Sequence, residues 1–343
     1  MKPVRSYRSY FLIMGAILVL SLLVNISLGS VQIPIKDILL ILTGDPPFKE
    51  SWSYIIFNYR LPKAVTALVT GSALSISGLL MQTLFRNPLA GPFVLGISSG
   101  ASLGVAILVF GASLFTGSLA GMANSTLSFA IAASLGSFLV LLAVVGVAAR
   151  VRDTMAILII GLMFGSITTA IVSVLSFFSD MQKLQQYVFW SFGSLGNLSW
   201  NQLAVFVLIF LIGTVLSVGA LKSLNALLLG ENYAASMGLN VKKSRYLIII
   251  ATSLLAGSVT AFAGPIAFIG LAVPHLTRLV VITQNHKVLM PAVALSGAII
   301  MLICDTIAQL PASEYTLPIN AITSMIGAPV VIWLLVKRKR MLF

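Results

Sequence analysis

The 343-residue sequence contains one cysteine, two histidines and few charged side chains for its length. Because Cys304 is the only cysteine, the chain can form neither an internal disulfide nor a cysteine-based metal cluster. Charged residues make up 8% of the sequence, against roughly a quarter in soluble domains. No G-x-x-x-x-G-K-[ST] phosphate-binding loop occurs, so we do not expect this chain to hydrolyse ATP. These absences argue against a soluble protein, a nucleotide hydrolase and a membrane enzyme.

Apolar residues are abundant instead: 59% of the sequence is hydrophobic and the mean hydropathy is +1.06. So much apolar surface cannot all be buried in one core, so lipid must cover part of it. The ten-residue alternation typical of membrane β-barrels is absent. The composition therefore predicts an all-α protein that crosses the membrane several times.

Hydropathy predicts ten membrane spans in a single permease domain covering residues 1–343. Residues 10–29 follow a basic N-terminal stretch, but this apolar run is longer than a typical signal-peptide core, and we interpret it as the first span. The predicted spans are 10–29, 62–85, 92–111, 127–149, 155–178, 201–221, 246–264, 266–284, 289–309 and 320–336.

Basic residues predict the orientation of these spans. With both termini in the cytoplasm, 16 of the 21 Lys and Arg residues fall in cytoplasmic segments, as the positive-inside rule requires. We therefore attribute the net charge of +13 to membrane orientation, and we expect lipid rather than nucleic acid as a partner. The segment Gly71–Gly78 resembles Gly257–Gly264 in a span of opposite direction, which indicates two inverted halves, spans 2–5 and 7–10.

Small and polar residues stand out within the spans. Gly96, Gly100 and Gly104 recur every fourth residue and predict close helix packing. The span 155–178 mixes glycines and hydroxyls among apolar residues, which fits either helix packing or a moderately polar path for a bulky substrate. We expect His275 to be a hydrogen-bonded core side chain rather than a metal ligand, and Asp305 to face polar neighbours or water.

The longest predicted cytoplasmic loop, residues 222–245, is too polar to cross a membrane. Its segment Leu224–Met237 has a helix-forming composition, and Gly238 is a plausible helix stop. The loop predicts one or two short helices at the membrane surface. These helices could be interfacial and amphipathic, or they could couple the chain to another protein.

Motifs along nearly the whole chain resemble those of ABC importer permeases of the iron-siderophore, haem and cobalamin class. The matching segments appear in the family's order: 60–63, 78 with 81–82, 87–90, 95–96, 185–190 with 193–194, 228–238, 264–271, 274–275 and 327–329. The resemblance implies a transport subunit that binds no cofactor or metal itself and has no catalytic residues. It implies a second permease copy or paralogue, a cytoplasmic ATPase dimer that carries ATP and Mg²⁺, and an extracytoplasmic solute-binding protein.

The resemblance also implies roles for individual residues. Binding-protein docking would involve Arg60, Lys63 and Gln309, although the family often has an arginine where this chain has Gln309. A cytoplasmic gate would be formed by Asn87, Leu89, Thr154 and Met155. Coupling to the ATPase would use Leu228, Gly230, Glu231, Ala234, Ala235 and Gly238. The pathway would be lined by Gly161, Gly165, Ser166, Thr169 and Ser173.

The resemblance favours an ATP-driven importer of a ferric siderophore in the bacterial plasma or inner membrane. Cobalamin and haem are alternative cargoes within the same family. An alternative from another class is a secondary transporter, which should carry buried ionisable groups for ion coupling. The near absence of charge within the predicted spans argues against that alternative.

Overall fold

The computed structural model describes residues 7–111, 126–148, 154–311, 313 and 315–336. Within these ranges the regular structure is helical. The helices of the first half are α1 (Arg8–Ser27), α2 (Ile35–Thr43), α3 (Glu50–Ile55), α4 (Leu61–Leu84), α5 (Ile97–Gly111), α6 (Thr126–Ala148), α7 (Thr154–Phe177) and α8 (Met181–Ser191). Those of the second half are α9 (Trp200–Gly219), α10 (Leu221–Leu227), α11 (Glu231–Ser236), α12 (Val241–Ala263), α13 (Ile269–Val280), α14 (His286–Ala308) and α15 (Ile319–Val336).

Each predicted span coincides with an apolar helix, but the helices differ in length. In the part of the chain that the structure describes, seven helices are long and apolar enough to cross a membrane, and three apolar helices are shorter. The short ones are Ile97–Gly111, Ile269–Val280 and Ile319–Trp333. The multi-pass helical architecture is therefore confirmed, whereas the count of ten spans and the cytoplasmic termini stay predictions.

The second span begins earlier than residue 62, where we placed it. A π-helical turn, Ile56–Arg60, joins α3 to α4 in one helix of 35 residues from Glu50 to Leu84. Pro62 has no N–H and its ring would crowd the carbonyl four residues back in a regular α-helix. The wider π turn directly before it relieves this conflict, so the proline does not end the helix.

The eighth span begins later than predicted, at Ile269 rather than 266. Gly264 and Phe268 both have positive φ values, of 78° and 66°. Pro265 between them cannot donate a helical hydrogen bond. The Asn320 side chain satisfies this extended segment by accepting from the Ala267 backbone N–H at 3.0 Å.

Polar side chains define where several long helices start. Ser199 and Gln202 form a reciprocal capping box at the start of α9. Asn240 accepts from the Lys243 N–H at α12, and Asn285 accepts from the Lys287 N–H at α14. These caps satisfy backbone donors that would otherwise be unpaired at helix ends.

Helix α4 is the most buried long helix and lies at the centre of the bundle. It packs against α9, α12, α13 and α14. Gly78 lies so close to α13 that an added Cβ would overlap the carbonyl of Gly270, and Gly71 makes the same kind of contact with Gly297 of α14. These glycines allow backbone-to-backbone packing that larger residues would prevent.

The predicted glycine ladder packs α5 against α6. A Cβ on Gly100 would lie 2.6 Å from the carbonyl oxygen of Gly136, and one on Gly104 would overlap Ala132. Gly96 instead has a left-handed conformation with φ of 73°, and it ends the 3₁₀ turn Pro92–Leu95 that precedes α5. The prediction of close helix packing is therefore confirmed.

The contacts between helices support the prediction of two related halves. The pairs α4–α14, α4–α13, α5–α6 and α5–α7 correspond to α12–α6, α12–α5, α13–α14 and α13–α15. If each helix of α4–α7 is exchanged with the helix at the same position in α12–α15, these pairs of contacting helices are reproduced. A structural repeat would produce this pattern.

Replacing Gly78 with alanine is expected to destabilise the protein by about 1–3 kcal/mol, because the added carbon forces α4 and α13 apart. The measurement is the melting temperature of the purified protein in detergent. Gly15→Ala in α1 is the matched control, since a Cβ there meets no atom within 4 Å. Equal melting temperatures for the two variants would contradict the close α4–α13 contact.

Candidate functional site

The C-terminal end of α4, which we predict to be the inner end, leads into a short turn held by its own polar groups. The Asn87 side-chain oxygen accepts from the Leu89 N–H at 2.9 Å, and the Asn87 carbonyl accepts from Ala90 N–H at 3.1 Å. Arg86, just before the turn, has a positive φ of 46°. Ala90 is buried whereas Leu89 is 43% exposed. The turn therefore presents Leu89 outward from a fixed backbone, as a gate would require.

Helix α13 fastens this turn from the other side. His275 Nε2 lies 2.6 Å from the Pro88 carbonyl oxygen. Gln82 donates to the Leu271 carbonyl at 3.1 Å and accepts from Arg278 at 2.9 Å. The expectation that His275 is a hydrogen-bonded core residue is confirmed.

The other half of the predicted gate falls at the start of α7. The helix begins at Thr154, but residues 149–153 and the side chains of Thr154 and Met155 lie outside what the structure describes. The gate role of all four residues therefore stays a prediction.

The predicted coupling loop consists of two short helices, α10 and α11, separated at Gly230. Gly230 has φ of 106° and ψ of 152°, and this non-helical backbone breaks the single helix that the composition of 224–237 would allow. Gly238, with φ of 84°, ends α11 while the Leu239 N–H donates back to the Ala234 carbonyl. The predictions of short helices and of a stop at Gly238 are confirmed.

Buried and exposed faces of this loop are clearly separated. Leu224, Leu227 and Ala234 are buried, so Ala234 anchors the loop to the protein. The Glu231 carboxylate accepts from Arg245 of α12 at 2.9 Å, which fastens α11 to the membrane-spanning bundle. Leu228 and Gly230 are half-buried, and Ala235 and Gly238 are exposed.

An apolar stripe on the same loop was missed by our sequence analysis. Leu229, Tyr233 and Met237 are 61%, 55% and 62% exposed, and they recur every fourth residue. Helical spacing could not have indicated a shared face, because Leu229 lies before the break at Gly230 and Met237 follows the end of α11. Which face the loop turns outward also depends on where Leu224 and Ala234 pack.

At the opposite end of α4, the two predicted docking cations turn toward the protein. Arg60 donates to the carbonyls of Ile26, Ser27 and Val31, which form the end of α1 and the loop after it. Lys63 Nζ lies 3.1 Å from an oxygen of Asp305. Both cations line a cavity of about 730 Å³ between α1, α4, α8 and α14.

Asp305 is the centre of this outer polar cluster. The carboxylate is buried and accepts from Asn25 at 2.9 Å and from Gln309 at 2.8 Å, besides pairing with Lys63. The expectation of polar neighbours is confirmed. Gln309 is half-buried and donates to this carboxylate, and its role in binding-protein docking stays a prediction.

A separate groove follows the exposed face of α7. It has a volume of about 490 Å³ and is lined by ten residues, among them all five predicted pathway residues. Gly165 permits the close approach of α5, since a Cβ there would lie 3.2 Å from Ser99 Oγ. The hydroxyls of Ser166, Thr169 and Ser173 donate to carbonyls one turn back in α7, at 2.9–3.1 Å. Their oxygens remain available as acceptors within the groove.

Comparison with known proteins relates the chain to bacterial transporters. A sequence model of the FecCD transport family matches residues 17–337. The hemin transport system permease HmuU of Yersinia pestis is 34% identical over 329 residues, covering 96% of each chain. The vitamin B12 import system permease BtuC of Salmonella paratyphi A is 38% identical over 286 residues, covering 83% of this chain and 84% of BtuC.

Solved structures agree with these sequence relationships. A structure described as an inward-facing metal-chelate type ABC transporter matches with a TM-score of 0.84 and 29% identity, covering 96% of this chain and 100% of that one. PsaBC from Streptococcus pneumoniae, solved with a Fab, matches with a TM-score of 0.52 at 15% identity. The second likeness concerns the fold alone.

Asp305→Ala is expected to destabilise the protein by about 3 kcal/mol, because the Lys63 ammonium loses its counter-charge and the amides of Asn25 and Gln309 lose a shared charged acceptor. Lys63→Met should cost less, since the carboxylate keeps the hydrogen bonds from Asn25 and Gln309. Denaturation midpoints in detergent provide the comparison. A Lys63→Met variant less stable than Asp305→Ala would contradict the central position of the carboxylate.

Proposed function

The chain belongs to the FecCD transport family as a permease of an ABC importer, and we propose that its cargo is a ferric siderophore. It is a transport subunit and a multi-pass protein of the bacterial inner membrane. Our proposal also covers the partners and the residues that contact the cargo and the partners. The main observation behind the cargo proposal is the groove along α7.

The lining of this groove suits a large, oxygen-rich cargo. Glycines and apolar side chains make most of the wall, while Ser166, Thr169 and Ser173 add hydroxyl oxygens. Because each hydroxyl already donates to its own helix, the empty groove leaves no strong donor unpaired. Such a surface binds weakly and lets cargo pass, so we propose that specificity lies in a separate solute-binding protein.

A ferric siderophore fits because its iron is enclosed by an organic ligand, so that neutral wall groups can contact the ligand periphery. A solved relative described as a metal-chelate type transporter supports this class of cargo. Cobalamin and haem are the second candidates, favoured by relatives named as vitamin B12 and hemin permeases. All three cargoes are metal chelates carried whole.

We propose that an ATPase dimer carrying ATP and Mg²⁺ contacts the exposed stripe of Leu229, Tyr233 and Met237. An apolar stripe of this kind is typical of a docking surface. Glu231 would then hold α11 in position through Arg245 rather than contact the ATPase through its carboxylate. A second permease copy or a paralogue would complete the pathway.

At the outer rim, Arg60 is the better candidate to attract an acidic binding protein. Its neighbours are neutral carbonyl groups, which leave its positive charge in place. Lys63 is balanced by Asp305. Charges at such a rim mainly set the rate and orientation of docking. Arg60 would therefore influence association more strongly than Lys63.

Uptake into proteoliposomes that contain the permease, its cognate ATPase and its binding protein tests the cargo proposal. We expect ATP-dependent uptake of a ⁵⁵Fe-labelled siderophore and no comparable uptake of cobalamin or haemin. Preferential uptake of cobalamin or haemin would contradict the siderophore proposal and identify that compound as the cargo. Uptake driven by an ion gradient without ATP would contradict the importer mechanism itself.

Exchanging the charges of Glu231 and Arg245 tests how the coupling loop works. Glu231→Arg alone is expected to weaken ATPase association at least about tenfold, because like charges would push α11 away from α12. The double variant Glu231→Arg/Arg245→Glu should recover most of the association, measured by co-purification and by transport. Failure of the exchange to restore association would mean that Glu231 contacts the ATPase directly.

A further inference from the structure

His286 connects the coupling loop to the inner end of the central helix. Its side chain is fully buried at the start of α14. Ring atom Nδ1 lies 2.7 Å from Asn225 Oδ1, and ring atom Nε2 lies 2.9 Å from Thr83 Oγ1. Asn225 belongs to α10 and Thr83 to the last turn of α4. One imidazole therefore spans the space between them.

The neighbours of Asn225 determine which group donates and which accepts in its hydrogen bond with His286. Asn225 Oδ1 also accepts from the His286 backbone N–H at 3.0 Å, and the Asn225 amide nitrogen donates to Asn285 Oδ1 at 3.3 Å. Because an amide oxygen can only accept, Nδ1 of His286 is the donor. Asn225 is thus held at both ends of its amide and cannot move without moving the start of α14.

On the other side, Thr83 stands next to the predicted gate. Its hydroxyl lies 2.9 Å both from the Leu79 carbonyl within α4 and from Nε2, and because Nδ1 carries the ring proton, the hydroxyl is the donor when it bonds to the histidine. Four residues later, Asn87 begins the turn that ends in Leu89. Because so few residues separate Thr83 from Leu89, a displacement of Thr83 along the axis of α4 would also displace the Asn87–Leu89 turn.

Other polar attachments of the coupling loop join it to α12. Glu231 of α11 pairs with Arg245 of α12, and Ser244 of α12 donates to Ser223 of α10 at 3.0 Å. Asn225, His286 and Thr83 instead form a continuous polar chain from α10 to α4. In a buried environment such hydrogen bonds resist separation, because a parted group would find no water to replace its partner.

We propose that His286 is a positioning residue that carries movement of α10 to the inner end of α4 and so to the Asn87–Leu89 turn. This inference rests on the proposed function, in which an ATPase moves the coupling loop. The histidine touches neither the cargo nor the nucleotide. Its role is to couple the movement of the ATPase to the opening and closing of the gate.

Paired variants separate the two bonds of the ring. His286→Asn places an amide near the position of Nδ1 and keeps the bond to Asn225 but cannot reach Thr83. His286→Gln extends to the position of Nε2 and keeps Thr83 but loses the side-chain bond to Asn225, whose oxygen still accepts from the backbone N–H of residue 286. Thr83→Val removes only the hydroxyl. Thr66→Val is the matched control, since the buried Thr66 hydroxyl bonds only within α4, to the Pro62 carbonyl at 2.7 Å.

The readout is the amount of cargo transported per ATP hydrolysed, in proteoliposomes with the cognate ATPase and binding protein. His286→Asn, His286→Gln and Thr83→Val are each expected to lower this ratio about fivefold or more, while ATP hydrolysis and complex assembly persist. The double variant His286→Asn/Thr83→Val should be no worse than either single variant, because both substitutions remove the same hydrogen bond, the one between residue 286 and Thr83. Thr66→Val should keep the wild-type ratio.

Three results would overturn the inference. The single variants could retain the wild-type ratio, hydrolysis and transport could fall together as in a general folding defect, or the double variant could multiply the two single effects. Failure of the proposed function would be visible separately, because the wild-type protein would then show no ATP-dependent uptake.

Discussion

The close contact between α4 and its neighbours α13 and α14 is the constraint on which the rest of the structure depends. Gly78 faces Gly270 and Gly71 faces Gly297, so the backbones meet without side chains between them. This proximity brings Gln82 within reach of Leu271 and Thr83 within reach of His286. A helix spaced at the usual 8–10 Å would leave these polar groups without partners. The glycines therefore determine the polar contacts at the inner end of α4.

Most polar side-chain contacts between α4 and other helices lie near its two ends. Near the N-terminal end, the Asp305 carboxylate is contacted by Lys63, Asn25 and Gln309. Near the C-terminal end, Gln82 and Thr83 join α4 to α13 and α14. In the middle, close backbone packing at Gly71 and Gly78 is joined by one hydrogen bond, from Ser72 to the Ala294 carbonyl of α14 at 3.1 Å. Such a distribution secures the helix ends to different neighbours while its centre depends mainly on shape.

Much of the architecture could be predicted from the sequence because hydropathy reports directly on lipid exposure. The apolar segments, the short helices of the loop 222–245 and the packing role of Gly100 and Gly104 were all readable from local patterns. The partners of these residues were not, since Gly136 and Ala132 become neighbours only through the fold. His286 was missed for the same reason. Its partners lie 61 and 203 residues away, and a lone histidine carries no local signature of them.

The boundaries of the second span show how a local rule can mislead. We predicted that the second span begins at residue 62, yet the π turn before Pro62 lets one helix run from Glu50 to Leu84. At about 1.5 Å per residue, 35 residues extend about 50 Å, well beyond a hydrocarbon core of about 30 Å. A helix of this length must tilt or extend past the hydrocarbon. In the proposed importer, thermodynamic linkage would apply to its two ends: whatever factor a partner bound near Arg60 contributes to opening the turn at Asn87, opening of that turn must return to the partner's affinity.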